Sequence, residues 1–243
     1  MISRIVFKKI NFHNLDHKKF NKYIIKSGLF VFPAAPALAS VNNSPYYYKS
    51  LQKADLVFFD SGLFVLLLRI LKNINVIKFS GYKFLSLFFE YIKNNNKKKI
   101  FCIDPNLNFS RSNKKYFQKL GIKKIYNYIA PIYNSKNVVD KKLLNKINKI
   151  KPNYIIINIG GGTQEVLGLY LKKNLKFRTS ILCLGAAISF FTRDQAPIND
   201  FVDKYYLGWL LRFLFNPFLF FKKYLIGLKL IPMVFFSQIK VIK

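Results

Sequence analysis

Acidic side chains are scarce in this sequence: 10 Asp and Glu stand against 41 Lys and Arg in 243 residues, a formal net charge of +31. The deficit narrows the search for acid–base groups to eight Asp (16, 55, 60, 104, 140, 194, 200, 203) and two Glu (90, 165). No Asp-x-Asp pair occurs among them to chelate a divalent cation. Arginine is scarce too, with six residues (4, 69, 111, 178, 193, 212). The two cysteines, Cys102 and Cys183, lie inside apolar runs. That argues against a disulfide and points instead to buried, inert thiols in a reducing compartment. His13 and His17 stand alone, so no Cys/His set has metal-ligand spacing. No run of 18 apolar residues exists: Asp60 and Arg69 break the stretch at 56–71, and Arg212, Lys222 and Lys223 break the one near the C-terminus. A membrane-spanning helix is therefore not expected. Residues 28–40 carry an apolar core and small residues, but about 27 residues including Asp16 precede them, and Pro33 and Pro36 interrupt them. A secretory signal is not expected there.

What is present is a large apolar fraction, 51% hydrophobic and 17% aromatic, which excludes a disordered chain. The positive charge calls for an anionic partner, whether nucleic acid, an acidic membrane or a phosphorylated substrate. A general bias toward Lys, Asn, Ile and Phe accounts for part of that charge. The Lys residues are spread along the whole chain and no nucleic-acid motif appears, so nucleic acid is not the expected partner.

Hydropathy periodicity predicts alternating strands and helices. Residues 1–27 read as a short strand and helix. Strands are expected at Leu29–Phe32, Ala54–Phe59, Val76–Phe79, Lys99–Ile103, Ile125–Tyr128, Asn153–Ile159 and Ser180–Leu184. Helices are expected at Ser44–Lys53, Leu63–Lys72, Phe84–Asn94, Tyr116–Leu120 and Val139–Ile150. The pattern predicts an α/β fold, a Rossmann-like open and mainly parallel sheet with helices on both faces. The last 45 residues are aromatic, basic and divided by Pro217 and Pro232, and read as a helical appendage.

Ligands of open α/β sheets bind beyond the carboxyl ends of the strands. Three places qualify: Asp60-Ser61-Gly62, the run Gly160-Gly161-Gly162-Thr163-Gln164-Glu165, and Gly185-Ala186-Ala187. The triple glycine, opening a helix, suits a phosphate cradle, although a ligand-free tight turn uses similar residues. Asp60 follows four apolar residues, a place for a general base tuned by partial burial or for a helix N-cap. Trp209–Phe236 mixes apolar runs with Arg212, Lys222, Lys223, Tyr224 and Lys229. Such a segment lies on an anionic bilayer, folds over a site to present cations, or packs as core helices.

The ordered set ADLVFFDSG (54–62), KPNYIIINIGGGTQE (151–165), CLGAAISFF (183–191) and GWLLRFLFNPFLFFKKYL (208–225) resembles the WecG/TagA/CpsF glycosyltransferases. The family pattern reads roughly ADL-x-x-PDG, KPD-x-x-x-VGLG-x-PKQE, GVGG-x-FD and GLEW-x-x-R-x-x-x-EP-x-R-x-x-RY. The resemblance implies an inverting transferase that needs no metal and no cofactor. It would move an N-acetylmannosamine-type sugar from UDP onto a polyprenyl-diphosphate-linked acceptor in extracellular polysaccharide synthesis. By the same resemblance Asp60 takes the general-base position. Gln164 and Glu165 match the nucleotide-side loop, and Arg212, Lys222, Lys223 and Tyr224 match appendage residues that would face the diphosphate and the membrane. The strand-end glycines Gly160, Gly161, Gly162 and Gly185 are expected to bind the nucleotide beside them. The implied organisation is a transferase domain at 1–198 and a membrane-associating appendage at 199–243, peripheral on the cytoplasmic face of the cell membrane. A homo-oligomer is compatible with it. The chain departs from the pattern at Phe32-Pro33-Ala34-Ala35, where a Thr-x-Asn-Pro element is usual, at Gly162-Thr163, at Ile188-Ser189, and at Phe218 and Leu219. These losses leave a second reading, a catalytically lapsed member serving as a membrane-bound partner in polysaccharide assembly.

Overall fold

The computed structural model describes residues 3–134, 136, 138–195 and 198–243, with the side chain of Leu219 outside that set. Its strands are β1 (Arg4–Phe7), β2 (Ile10–His13), β3 (Gly28–Val31), β4 (Leu56–Val57), β5 (Ile100–Asp104), β6 (Ile125–Ile129), β7 (Tyr154–Ile157), β8 (Ser180–Cys183) and β9 (Ile239–Ile242). The helices are α1 (Phe20–Ile24), α2 (Ala35–Ala39), α3 (Pro45–Lys53), α4 (Gly62–Lys72), α5 (Gly81–Lys93), α6 (Leu107–Lys119), α7 (Lys141–Ile150) and α8 (Thr163–Asn174). They continue with α9 (Ser189–Thr192), α10 (Asp200–Lys204), α11 (Gly208–Phe215), α12 (Pro217–Leu228) and α13 (Leu230–Phe236).

Six strands form one parallel sheet in the order β4-β3-β8-β7-β5-β6, the α/β architecture that the periodicity predicts. Its inner strands are apolar on both faces because helices cover both. The pleat divides them between two cores. Leu29, Val31, Ile155, Ile157, Ile181 and Cys183 pack into one core with α3, α4, α7 and α8. Phe30, Ile156 and Leu182 point the other way, against α5. Gly168 lets α8 lie close on the sheet, since a Cβ there would stand 2.7 Å from Leu29 Cδ1 and 2.9 Å from Cys183 Sγ. Helix starts are set by side-chain caps: Ser61 for α4, Ser80 for α5, Asn106 for α6 and Asp140 for α7 each accept a backbone N–H of the first turn.

Several expected elements differ. Residues 76–79 are irregular, not a strand: one backbone bond, Phe79 N–H to Phe59 O at 2.9 Å, reaches the neighbouring segment. The strand expected at 54–59 keeps only two residues, because just Leu56 and Val57 register with β3. Helix α6 begins at Leu107, well before the expected Tyr116, since its first turns are polar and its exposed face gives little apolar period. The opening segment is a hairpin, with β1 and β2 paired Phe7↔Ile10 across a two-residue turn. Lys8 and Lys9 hold φ of +48° and +59° there, a geometry that usually announces itself through Asn and Gly.

The tail is helical as far as Phe236, but it ends in β9, a strand that the sequence reading does not anticipate. β9 pairs antiparallel with β1, giving a second sheet in the order β2-β1-β9. Leu230 and Val234 of α13 are fully buried in the core that also holds Ile5, Phe7 and Phe64. Removing a buried leucine costs about 2–5 kcal/mol. Leu230→Ala is therefore expected to lower unfolding free energy in urea by that amount, while Phe218→Ser, at 93% exposure, leaves it within about 0.5 kcal/mol. Equal effects of the two substitutions would contradict this packing.

Candidate active site

Parallel strands send all their carboxyl ends to one edge, and three chain segments meet there. The first follows β4. Asp60 keeps part of its surface open, and its Oδ1 accepts Gly81 N–H at 2.7 Å, at the start of α5. The cap of its own helix, α4, is Ser61, whose Oγ accepts Phe64 N–H at 3.2 Å. Asp60 is thus held at the positive end of a neighbouring helix rather than spent as a cap of its own. Burial raises its pKa above the usual carboxylate range, while the Gly81 bond, the Arg212 guanidinium and the Lys78 ammonium pull it back. A carboxylate raised by burial yet steadied by two cations and a backbone N–H is the kind of group that can serve as a general base.

The second segment is the glycine turn after β7. Gly162 has φ of +92°, and a Cβ added at Gly160, Gly161 or Gly162 would meet nothing within 4 Å. No packing demand therefore accounts for three glycines, and the space above them is free for a ligand. Glu165, only 1% exposed, accepts Gly162 N–H at 2.7 Å through Oε2 and Gln164 Nε2–H at 3.0 Å through Oε1. Burial pushes its pKa up to about 7 against these hydrogen bonds, with Asp60 adding to the rise. Gln164 Oε1 in turn accepts Gly185 N–H at 2.7 Å, so the third segment, after β8, is tied to the second. Gly185 has φ of +57° and its amide is engaged inside the protein.

A fourth contribution comes from the tail. Arg212 lies on α11, stacked 5.5 Å from the Phe190 ring, and its charge acts on Asp60. Tyr224, on α12, donates its hydroxyl to Trp209 O at 2.8 Å and braces α11 and α12 together. Lys222 and Lys223 lie on the exposed side of α12, Lys223 over the Phe220 ring at 5.3 Å. The structure thus brings Asp60, Gln164, Glu165, Gly185 and Arg212 together around one edge, and leaves Lys222 and Lys223 outward. Reading the sequence missed Lys78, whose Nζ meets Asp203 Oδ1 at 2.6 Å and lies 5.0 Å from the Tyr206 ring centre. Its only signal was a cation in an apolar stretch next to the Asp60 segment. Tyr206 closes over the turn: a Cβ on Gly62 would stand 2.7 Å from its ring.

Asp104, another carboxylate that ends a strand, is engaged structurally. It is fully buried and accepts amide N–H groups from Asn113, Asn127 and Asn158 at 2.7, 2.8 and 2.8 Å. A cavity of about 400 Å³ between α6 and β6 is lined by Arg111, Lys114 and Lys146 and contains neither Asp60 nor the glycine turn. Its lining holds no carboxylate or imidazole, which leaves the Asp60 edge as the candidate site. No cluster of three His, Cys, Asp or Glu with metal-binding geometry occurs among the described residues.

The match to known families decides the class. Residues 5–242 fit the glycosyl transferase WecG/TagA/CpsF family. The chain belongs to this family. Family membership spans the hairpin, the parallel sheet and the tail alike, so β9 and α13 are parts of the family's unit. No curated protein matches the chain. Among the described residues no helix is long and apolar enough to cross a membrane.

The raised pKa of Glu165 has a consequence for stability. A carboxyl whose folded pKa exceeds its unfolded value contributes stability that is fully present at low pH and lost as pH rises through the folded pKa. For Glu165 that window runs from about 4.5 to about 7. The loss is roughly 3 kcal/mol at 1.36 kcal/mol per pKa unit. Relative to wild type, Glu165→Gln should therefore gain stability between about pH 4.5 and about pH 7 and level off above that, measured by urea unfolding. A pH-independent difference between the two proteins would contradict the burial of an ionising Glu165.

Proposed function

We propose that this glycosyltransferase moves a sugar of N-acetylhexosamine type from a UDP donor onto a polyprenyl-diphosphate-linked acceptor, in extracellular polysaccharide synthesis. The observation that carries the reading is the position of Asp60: partly open, raised in pKa by burial, and at one sheet edge with the glycine turn and two cations from other segments. The donor diphosphate lies along Gly160–Gly162, where backbone N–H groups and the start of α8 favour an anion. Asp60 takes the proton from the acceptor hydroxyl as that oxygen attacks the anomeric carbon. The bond from that carbon to the UDP oxygen breaks with inversion, and UDP leaves with the electron pair. Arg212 and Lys78 offset the charge that develops on the leaving diphosphate, so the step proceeds without a metal.

The tail supplies the contact with the membrane that carries the acceptor. Trp209, Leu214, Phe215, Phe218, Phe221 and Phe236 are exposed large apolar side chains, with Phe218 and Phe236 at 93% and 82%. Lys222, Lys223 and Lys229 stand exposed among them. An apolar surface edged by cations suits the headgroup layer of an anionic bilayer, at the cytoplasmic face. Residues 199–243 then act as the membrane-associating part of the transferase, fastened to the 1–198 portion through α13 and β9.

The second reading, a lapsed family member acting as a membrane-bound partner, is favoured by Phe32-Pro33-Ala34-Ala35, which offers no hydrogen-bonding side chain to a sugar. Asp60→Asn separates the two. The variant is expected to fold and to bind UDP as wild type does, with sugar transfer to a lipid-diphosphate acceptor lower by about 10²–10⁴. Transfer at the wild-type rate would remove Asp60 from the mechanism. Tight UDP binding without any transfer by the wild-type protein would establish the lapsed reading.

A further inference from the structure

The proposed donor site contains a conflict. The Gly162 N–H that would face a diphosphate is already held by the Glu165 carboxyl at 2.7 Å. Two oxygens compete for one N–H, so a phosphate oxygen that takes it displaces Glu165 Oε2, whose buried side chain then needs another partner. A second residue stands ready to receive it. Tyr47 is 3% exposed, and its hydroxyl is sealed from solvent without any hydrogen-bond partner. The other two such buried polar atoms, Asn113 Oδ1 and Asn158 Oδ1, belong to amides that already donate to Asp104. Among the described residues Tyr47 alone has its whole buried side-chain polar group unsatisfied.

The fold explains why Tyr47 and Glu165 are neighbours. Each is the third residue of its helix, α3 and α8 respectively, and these helices pack against each other. Both are buried beside the Asp60 edge. The groups acting on Tyr47 are Glu165 first, then Cys183 and Asp60; those acting on Glu165 are Gly162, Gln164 and Asp60. No Lys or Arg is among them, so the pair has no cation to hold it charged.

We propose that Tyr47 is the second holder of Glu165: when a donor phosphate oxygen takes Gly162 N–H, the Glu165 side chain turns to the Tyr47 hydroxyl. The inference rests on the donor reading above. With its N–H partner gone and a phosphate charge nearby, Glu165 takes up a proton, and a neutral carboxyl and a neutral phenol share one hydrogen bond without burying charge. Tyr47 is then a positioning residue, and donor binding is linked to proton uptake near neutral pH.

Calorimetric titration of the full chain with UDP at pH 7.5, in two buffers of different ionisation enthalpy, tests this. Wild type is expected to take up a substantial fraction of a proton beyond that seen with Glu165→Gln, which serves to subtract the titration of UDP itself. Tyr47→Phe removes one unsatisfied hydroxyl. Its ligand-free unfolding temperature is expected to stay level or rise, while UDP binds about tenfold more weakly. Wild-type affinity in Tyr47→Phe, or equal proton uptake in wild type and Glu165→Gln, overturns the proposal and leaves the donor site standing. A fall in the ligand-free unfolding temperature of Tyr47→Phe overturns it in favour of a packing role. Absence of UDP binding by wild type overturns both this proposal and the donor reading.

Discussion

The pairing of β3 with β8 is the contact on which the site depends. Four register pairs, from Gly28↔Ser180 to Val31↔Cys183, join segments about 150 residues apart in the chain. They attach the β3–β4 side, which carries Asp60, to the β8–β7 side, which carries Glu165 and the glycine turn. Because the pairing is parallel, the carboxyl ends of both sides emerge on the same edge. The same pairing places α3 against α8, since each begins on that edge. Loss of Gly168, which admits α8 to within contact of Leu29 and Cys183, would disturb all of these at once.

Burial and charge then divide the work of the carboxyls. Asp60 and Glu165 are both raised by burial, but only Asp60 has Arg212 and Lys78 to draw it back toward ionisation. Neither cation belongs to the sheet. Arg212 is carried by the tail, and Lys78 is held by Asp203 of α10. The tail is in turn fastened by β9 to β1 and by Leu230 and Val234 to the core. One segment thus tunes the proposed base on its inner side and exposes Phe218 and Phe236 on its outer side. In the proposed reading, contact with a membrane and the electrostatics of Asp60 are linked through the same helices.

The sheet was largely legible in the sequence because its inner strands are buried on both faces and read as unbroken apolar runs, as in Tyr154–Ile157 and Ser180–Cys183. The edge proved harder. Val76–Phe79 has a strand's composition without a strand's partner, and β4 is limited by its two pairs with β3. The hairpin at Lys8-Lys9 and the strand β9 depend on each other across the length of the chain, and no local signal announces such a pairing. Asp60, Glu165 and the glycines were legible from their places after strands. Lys78 and Tyr47 were not, because their importance comes from what folding brings beside them: the Asp60 carboxylate in one case, the Glu165 carboxyl in the other.

The central claim is that the edge carrying Asp60 and the glycine turn receives a uridine nucleotide. Thermal unfolding of the full chain with UDP, GDP, ADP or a short duplex DNA tests it most directly. A ligand at 100 times its dissociation constant adds about 2.7 kcal/mol to stability. The account predicts a rise in unfolding temperature with UDP that exceeds those with GDP and ADP and shrinks in Arg212→Ala. A rise with DNA alone, or no rise with any nucleotide in the presence of anionic lipid, would contradict it.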